Sequence, residues 1–102
     1  MKPTLFDFEF AYCGMYYDEN DCDIYEKPND RFNHEFTQTE YGQGDENYDE
    51  TIVLYDTVDN EFWGLLVSHN SWHEEPFTCL YSEDEIDMVE KRPITETRWV
   101  FE

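Results

Sequence analysis

The sequence predicts an α+β fold, mainly antiparallel β-sheet with one or two short helices, in a single compact domain that covers residues 1–102. The length of 102 residues is close to the usual size of one domain. Phe, Tyr and Trp make up 19% of the chain, and each buried ring removes ~150–250 Å² from water, enough to build a small core. Segments rich in β-branched and aromatic residues follow one another at short intervals, which favours antiparallel pairing.

Residues 5–17 alternate between aromatic and polar side chains over most of their length. In an extended chain Phe6 and Phe8 fall on one face, and Asp7 and Glu9 fall on the other. The alternation predicts a half-buried strand whose outward carboxylates stand ~6.8 Å apart and form a short ladder of negative charge.

Residues 18–50 hold twelve acids and two basic residues. A structureless loop of this length is unusual in a compact domain, so a strand or helical turn is expected within it. Phe32 and Phe36, four positions apart, predict a short helix over residues 31–37, and the glycines of residues 42–44 predict a turn.

Residues 52–56 and 62–69 are rich in branched and aromatic side chains and flank Asp59 and Asn60, so they predict a β-hairpin. Within the second segment, Gly64 indicates a bulge or a close backbone approach.

A turn over residues 69–76 leads to the apolar residues 77–81, which predict another strand. Residues 82–85 fit a capping box, and Pro93 would end the short helix that follows. The alternation of apolar and charged residues leaves an extended segment open as the alternative. Residues 94–101 predict a final strand.

The three cysteines, Cys13, Cys22 and Cys79, are odd in number and have no paired spacing. This pattern favours free thiols in a reducing cytosol. Since no apolar stretch has the length of a signal peptide or a membrane span, a soluble cytoplasmic protein is expected.

Two kinds of metal site are conceivable. The oxygen-ligand cluster at residues 18–26 lacks the glycine and the bidentate glutamate of an EF-hand, which favours a solvated acidic loop. His69 and His73 with a cysteine could hold zinc, but no Cys-x-x-Cys pair accompanies them, and surface histidines are favoured. No cofactor or metal is therefore expected.

Catalytic motifs are missing from the sequence. It contains no Gly-rich phosphate loop, no Gly-x-Ser-x-Gly elbow and no His-Glu-x-x-His. Acidic pairs are so abundant that none of them marks an acid and base. The chain is therefore not expected to be an enzyme.

Charge is the most unusual property of the sequence. Twenty-six Asp and Glu against six Lys and Arg give a formal net charge of −20. The net charge of a small domain usually has a magnitude of roughly 2 to 8. One turn of duplex DNA, about 33 Å long, carries about 20 charges. Direct binding to nucleic acid or to an anionic membrane is disfavoured, and a basic protein partner would be attracted. The charge thus favours a DNA mimic that occupies a basic nucleic-acid-binding surface.

In size, acidity and aromatic content, the whole chain resembles the small DNA-mimic inhibitors that bacteriophages make against restriction enzymes and CRISPR effectors. The resemblance implies that carboxylates replace phosphates in the DNA channel of a host defence or DNA-processing protein, in the host cell cytoplasm. The acids expected to make these contacts are Asp18, Glu19, Asp21, Asp23, Glu26, Asp45, Glu46, Asp49, Glu50, Glu74, Glu75, Glu83, Asp84, Glu85 and Asp87.

Other functions remain open at this point. The acidic face could hold a basic protein region outside a DNA channel, for example on RNA polymerase, as an adaptor or inhibitor. A divalent-cation-binding module is a third class. Two copies could also pair through an unpaired edge strand to form a homodimer with a longer negative surface.

Overall fold

The computed structural model of the chain describes residues 1–41, 48–68, 76–93 and 97–101, with the backbone only for residues 40, 41, 48, 68, 91–93 and 97–100. In chain order the elements are α1 (Leu5–Cys13), β1 (Tyr16–Tyr17), β2 (Asp23–Ile24), β3 (Phe32–Tyr41), β4 (Tyr48–Asp56), β5 (Glu61–Ser68), α2 (Phe77–Leu80), a 3₁₀ turn (Glu83–Glu85), β6 (Asp87–Pro93) and β7 (Thr97–Phe101). Strands β3 to β7 form one sheet in chain order, and β1 pairs with β2 in a second sheet. All these pairs are antiparallel, which confirms the predicted α+β class and the antiparallel pairing.

The predicted strand over residues 5–17 is wrong for most of its length, because Leu5–Cys13 forms the helix α1 and the strand β1 includes only Tyr16–Tyr17. The Asp7 carboxylate accepts hydrogen bonds from the N–H of Thr4 at 2.8 Å and from its Oγ1 at 3.0 Å, which fixes the first turn. Gly14 ends the helix with a φ of 75°, a left-handed conformation that glycine adopts without a steric penalty.

Aromatic side chains pack around α1 on several sides. Phe8 is fully buried in the main core. The Phe6 ring lies 5.2 Å from the ring of Tyr16 in β1, and the Tyr12 ring lies 5.9 Å from the ring of Phe77 in α2. Because the helix contacts the large sheet, β1 and α2, the alternating aromatic residues Phe6, Phe8 and Tyr12 all find packing partners without forming a strand.

The predicted helix over residues 31–37 is also wrong, since this segment begins the long strand β3. Phe32 is 3% exposed and Phe36 is 50% exposed, so the two rings do not share the buried face that a helix would give them. A β-bulge interrupts the pairing of β3 with β4 between His34 and Phe36.

The predicted hairpin is confirmed. Strands β4 and β5 pair without interruption from Asp49 opposite Ser68 to Asp56 opposite Glu61. Asn60 has a φ of 56° in the connecting turn, a conformation that asparagine tolerates better than most residues.

The predicted close approach at Gly64 is confirmed as well. A Cβ atom on this residue would lie 2.6 Å from Cγ1 of Val89 in β6 and 3.2 Å from Cε1 of Phe101 in β7. Glycine thus lets two side chains from the next strands lie directly on β5.

Two predictions for the C-terminal part are wrong: the strand over residues 77–81 and the short helix that follows the capping box at residues 82–85. Residues 77–81 do not form a strand, because Phe77–Leu80 is the one-turn helix α2. The capping box does form, with the Ser82 N–H donating to Glu85 at 2.6 Å, but the helix stops at Glu85.

Strand β6 follows at once, so the extended alternative for this segment is correct. Ile86 and Val89 are 0% and 3% exposed and belong to different apolar clusters, which an extended chain reaches more easily than one helix turn. Strand β7 confirms the final predicted strand from residue 97 onward. Residues 94–96, the predicted turn over residues 42–44, and residues 69–75 of the predicted turn over residues 69–76 lie outside the described residues.

The large sheet carries apolar side chains on both faces. On one face, Ile52, Leu54 and Leu65 pack with Leu5 and Phe8 of α1 to form the main core. On the other face a second cluster contains Val53 and Val89, with Phe62 packed against them. Among the described residues, the helices α1 and α2 contribute to the first cluster, and the second face, on which no described helix packs, is called the open face below.

Candidate functional site

The described acidic side chains divide into a buried and an exposed set. Asp7, Glu9 and Asp56 are 5%, 2% and 0% exposed. The first two were predicted to form an outward ladder, and this is wrong because α1 directs them into the protein. Each of the three carboxylates accepts several hydrogen bonds, so their role is to hold the fold.

Glu9 joins three elements through its two carboxylate oxygens. Oε1 accepts a hydrogen bond from the N–H of Tyr17 in β1 at 3.2 Å, and Oε2 accepts one from the N–H of Phe77 in α2 at 3.0 Å. Burial raises the pKa of Glu9 above its usual value, and these two hydrogen bonds only partly counteract that effect.

Asp56 forms an ion pair with Arg31, across 25 positions of sequence. The Arg31 Nε donates to Oδ1 and its Nη2 donates to Oδ2, both at 2.9 Å. Asp56 also accepts from the N–H groups of Val58 and Asp59 in the hairpin turn. The hydrogen bonds from Arg31 are the main reason that the pKa of Asp56 falls to about 2.

The loop between β1 and β2 is organised by a single carboxylate. Asp18 Oδ1 accepts from the N–H of Asn20 at 2.8 Å and from the N–H of Cys22 at 3.0 Å. The backbone closes the same turn, because the Asp21 N–H donates to the Asp18 carbonyl at 3.1 Å. The three exposed acids around this loop, Glu19, Asp21 and Asp23, are called the turn cluster.

A second group of exposed acids lies at the 3₁₀ turn. Glu83, Asp84, Glu85 and the adjoining Asp87 are all exposed and are called the 3₁₀ cluster. One of them also contacts α1, since Glu83 Oε1 accepts from the Leu5 N–H at 3.2 Å. Helix α1 therefore supports both clusters. Leu5 donates to Glu83 of the 3₁₀ cluster, and Glu9 accepts from Tyr17 in β1, the strand that leads into the turn cluster.

The structure places the predicted contact acids as follows. Eight are exposed: Glu19, Asp21, Asp23, Glu26, Glu83, Asp84, Glu85 and Asp87. Three are half-buried: Asp18, Asp49 and Glu50. The remaining four, Asp45, Glu46, Glu74 and Glu75, lie outside the described residues.

The pKa of the Tyr17 phenol reports the negative charge near the turn cluster. This pKa is raised, and the first cause is the negative charge of Asp23. A nearby carboxylate opposes the formation of another anion on this ring.

The predicted free thiols are confirmed, because all three cysteines are unpaired and exposed. In the oxygen-rich cluster at residues 18–26, for which a solvated acidic loop was favoured over a metal site, Asp18 bonds to backbone N–H groups. Among the described residues, the group with metal-ligand spacing is Asp56, Asp59 and Glu61. Arg31 donates to both of these aspartates, so two of the three carboxylates are already engaged in ion pairs. His69 and His73 lie outside the described residues.

Sequence reasoning missed the apolar part of the surface. Phe36, Leu66 and Phe101 are 50%, 43% and 40% exposed. The pairing of Phe36 with Val53 and of Phe101 with Val89 places both rings on the open face. The signal that could have located this face is the lack of alternation in the hairpin strands, whose successive apolar residues lie on both sides of the sheet.

Comparisons with known proteins find no family model, no curated protein and no solved structure that matches this chain. In the part of the chain that the structure describes, none of the helices has the length and apolar character needed to cross a lipid bilayer.

Proposed function

We propose that this chain is a DNA-mimic inhibitor, without enzymatic activity of its own, that occupies the nucleic-acid-binding surface of a host defence or DNA-processing protein in the bacterial cytoplasm. The observation that carries the proposal is the set of eight exposed carboxylates. The ion pairs between described residues join Asp56 or Asp59 to Arg31 or to the N-terminus, and none of them involves these eight acids. No described cation therefore competes with a basic partner for these charges.

The dimensions of the chain support a comparison with duplex DNA. Its principal axes measure 44, 36 and 21 Å. A duplex of the same length carries about 26 charges at one per ~1.7 Å, and the chain has a formal net charge of −20. The protein thus carries roughly three quarters of the charge of the duplex that it would replace.

The support beneath the exposed acids favours a preformed binding surface. The hydrogen bonds of Asp18 and the contact of Glu83 with Leu5 hold the acidic turns in one arrangement before any partner arrives. Preorganised charges lose less conformational entropy on binding than charges on a disordered segment. Long-range attraction would speed association with a basic channel and would weaken as salt is added.

Competition with DNA is the decisive test. The protein is used at low salt to capture a nucleic-acid-binding enzyme from a bacterial lysate, and the purified enzyme is titrated with fluorescent duplex DNA in the presence of the protein. We expect the protein to displace the DNA and to inhibit the enzyme. Unchanged DNA affinity at saturating protein would refute mimicry for that enzyme.

A pair of substitutions tests the role of the turn cluster. Asp21→Asn with Asp23→Asn removes two charges, and asparagine accepts the positive φ of residue 21. We expect about tenfold weaker competition at low salt. The matched control is Asp30→Asn with Glu35→Gln, which removes the same charge from exposed positions outside both clusters. Equal weakening by both pairs would show that only net charge matters and would argue against a defined site.

The alternative, an adaptor or inhibitor on a basic surface outside a DNA channel, is favoured by one observation. The open face exposes apolar side chains, which a phosphate mimic does not need and which protein interfaces commonly use. Binding of the captured enzyme without displacement of DNA would favour this function over the first.

A further inference from the structure

The open face combines a closed apolar centre with an exposed apolar margin. Its six members are Phe36, Val53, Phe62, Leu66, Val89 and Phe101. The centre is buried, because Val53 and Val89 are 0% and 3% exposed. The margin is open, since Phe36, Leu66 and Phe101 are each at least 40% exposed.

The backbone is shaped to keep this surface closely packed. Gly64 lies opposite Val53 in the sheet, and its missing Cβ leaves the space that Val89 and Phe101 fill. The ring of Phe62 also contacts the ring of Tyr55 on the neighbouring strand, with centroids 5.1 Å apart. On this face, exposed apolar side chains thus flank a buried apolar cluster, and exposed apolar patches can mark binding sites.

Acidic residues lie on the same face as this apolar surface. Asp87 is directly opposite Gly64, and Asp49 is two positions before Thr51 and four before Val53 on β4, so both belong to the open face. A partner therefore meets apolar side chains and carboxylates together. A second copy of this chain is a poor fit, because each copy has a formal net charge of −20 and would bring like charges into contact.

We propose that the open face docks a protein segment in which apolar side chains alternate with Lys or Arg, supplied by the basic partner of the proposed function, on which this inference rests. The apolar side chains would cover Phe36, Leu66 and Phe101, and the cations would meet Asp49 and Asp87. Contact of this kind adds a component that salt does not screen, because burial of apolar surface is insensitive to the ionic strength that weakens charge pairs.

The test uses two synthetic peptides of equal length and equal charge, one of alternating Lys and Leu and one of alternating Lys and Ser. Binding to the whole chain is measured by fluorescence anisotropy at about 0.1 M and about 1 M NaCl, where the Debye length falls from ~10 to ~3 Å. We expect both peptides to bind at the lower salt concentration. At the higher one, only the Lys-Leu peptide should keep its binding, with an advantage of about tenfold or more.

Substitutions locate the binding. Phe36→Ser with Leu66→Thr alters two exposed side chains, so the fold should persist, and the preference for the Lys-Leu peptide should disappear. Val58→Thr is the control, because Val58 is 63% exposed in the hairpin turn, outside the open face. If the double variant proves unstable, backbone amide shifts of the unsubstituted chain serve instead, and the Lys-Leu peptide should move those of Phe36, Leu66 and Val89.

The outcomes separate this inference from the proposed function. If the wild-type chain binds both peptides equally at high salt, or if the double variant keeps the preference, the open face is not the docking site and the acidic interface still stands. If neither peptide binds at low salt, attraction of a basic partner is itself wrong and both proposals fall. A dimer in sedimentation equilibrium that the double substitution abolishes would identify a second copy as the occupant and overturn the inference.

Discussion

Glu9 and Phe77 are 68 positions apart, and the buried Glu9 Oε2 accepts a hydrogen bond from the Phe77 N–H at 3.0 Å. Through its other oxygen, the same carboxylate binds the N–H of Tyr17. One side chain thus satisfies two backbone donors from parts of the chain that are distant in sequence. In a protein with so many acids, this one stabilises the fold rather than the surface.

We expect Glu9→Gln to destabilise the protein by ~1–3 kcal/mol. The glutamine side chain has one acceptor oxygen, so either Phe77 or Tyr17 would face an NH₂ group and lose its hydrogen bond. Thermal unfolding followed by circular dichroism measures the change, and Glu19→Gln, at an exposed position, is the control. A Glu9→Gln variant as stable as the control would show that the two hydrogen bonds are not needed.

The same substitution should change how stability depends on pH. Because the pKa of Glu9 is raised in the folded state, the folded protein holds this proton more tightly than the unfolded chain does. Its contribution to stability is full below the unfolded pKa and is lost as pH rises through the folded pKa. The difference in unfolding free energy between wild type and Glu9→Gln should therefore shrink across that interval, and a difference independent of pH would contradict the raised pKa.

Asp56→Asn should be more damaging than any single change in the exposed clusters. It leaves the Arg31 guanidinium with Asp59 as its remaining carboxylate partner, and loss of the buried partner of an ion pair costs up to ~3–5 kcal/mol. Asp59→Asn is the matched control, because Asp59 also binds Arg31 but its side chain is 47% exposed, and exposed pairs contribute about 1 kcal/mol or less. Urea unfolding of both variants checks the order, and equal losses would refute it.

The dependence of stability on acidic pH gives a second test of this ion pair. The pKa of Asp56 is lowered from its ordinary 3.8 to about 2, so its contribution to stability is present above the ordinary value and is lost as pH falls toward about 2. The wild-type chain should lose stability over this interval, and Asp56→Asn should lose less. Parallel pH profiles for the two proteins would show that Asp56 is not the group responsible.

Gly64→Ala should destabilise the sheet by ~1–3 kcal/mol through overpacking, because the new Cβ would lie 2.6 Å from Val89 Cγ1. Adding Val89→Ala should recover part of that loss, which a double-mutant cycle in urea would measure. Gly14→Ala is the contrasting case. It has no neighbouring atom within 4 Å and a φ of 75°, so its cost is backbone strain and Val89→Ala should not relieve it. Rescue of both glycine variants, or of neither, would contradict the proposed contact.

The hairpin, the close approach at Gly64 and the free cysteines could be predicted because their signals are local. Asp59 and Asn60 lie between two apolar segments, and a glycine inside a strand usually marks a bulge or a place where neighbouring atoms come close. These features depend little on what the rest of the chain does.

The segments that were predicted wrongly depend on distant partners. The alternation over residues 5–17 fits a strand as well as a helix that is covered on several sides, and only the positions of β1, α2 and the sheet decide between them. For the same reason, the burial of Asp7 and Glu9 could not be predicted, since their hydrogen-bond partners include Asn29 and Phe77. The exposed acids of the two clusters were easier to predict, because the exposure of an acid in a solvated turn does not depend on packing partners elsewhere in the chain.

The irregularity in β3 has a consequence for both sides of the sheet. Before it, Phe32 and His34 lie opposite Asp56 and Leu54; after it, Phe36 lies opposite Val53 instead of Ile52. The additional residue, Glu35, therefore inverts the alternation for the remainder of the strand. In a regular ladder that kept all these residues, the Phe36 ring would face the helix-covered interior. In a chain without Glu35, the same ring would stay on the outer face. The number of residues in β3, and not their chemistry, therefore assigns inside and outside here.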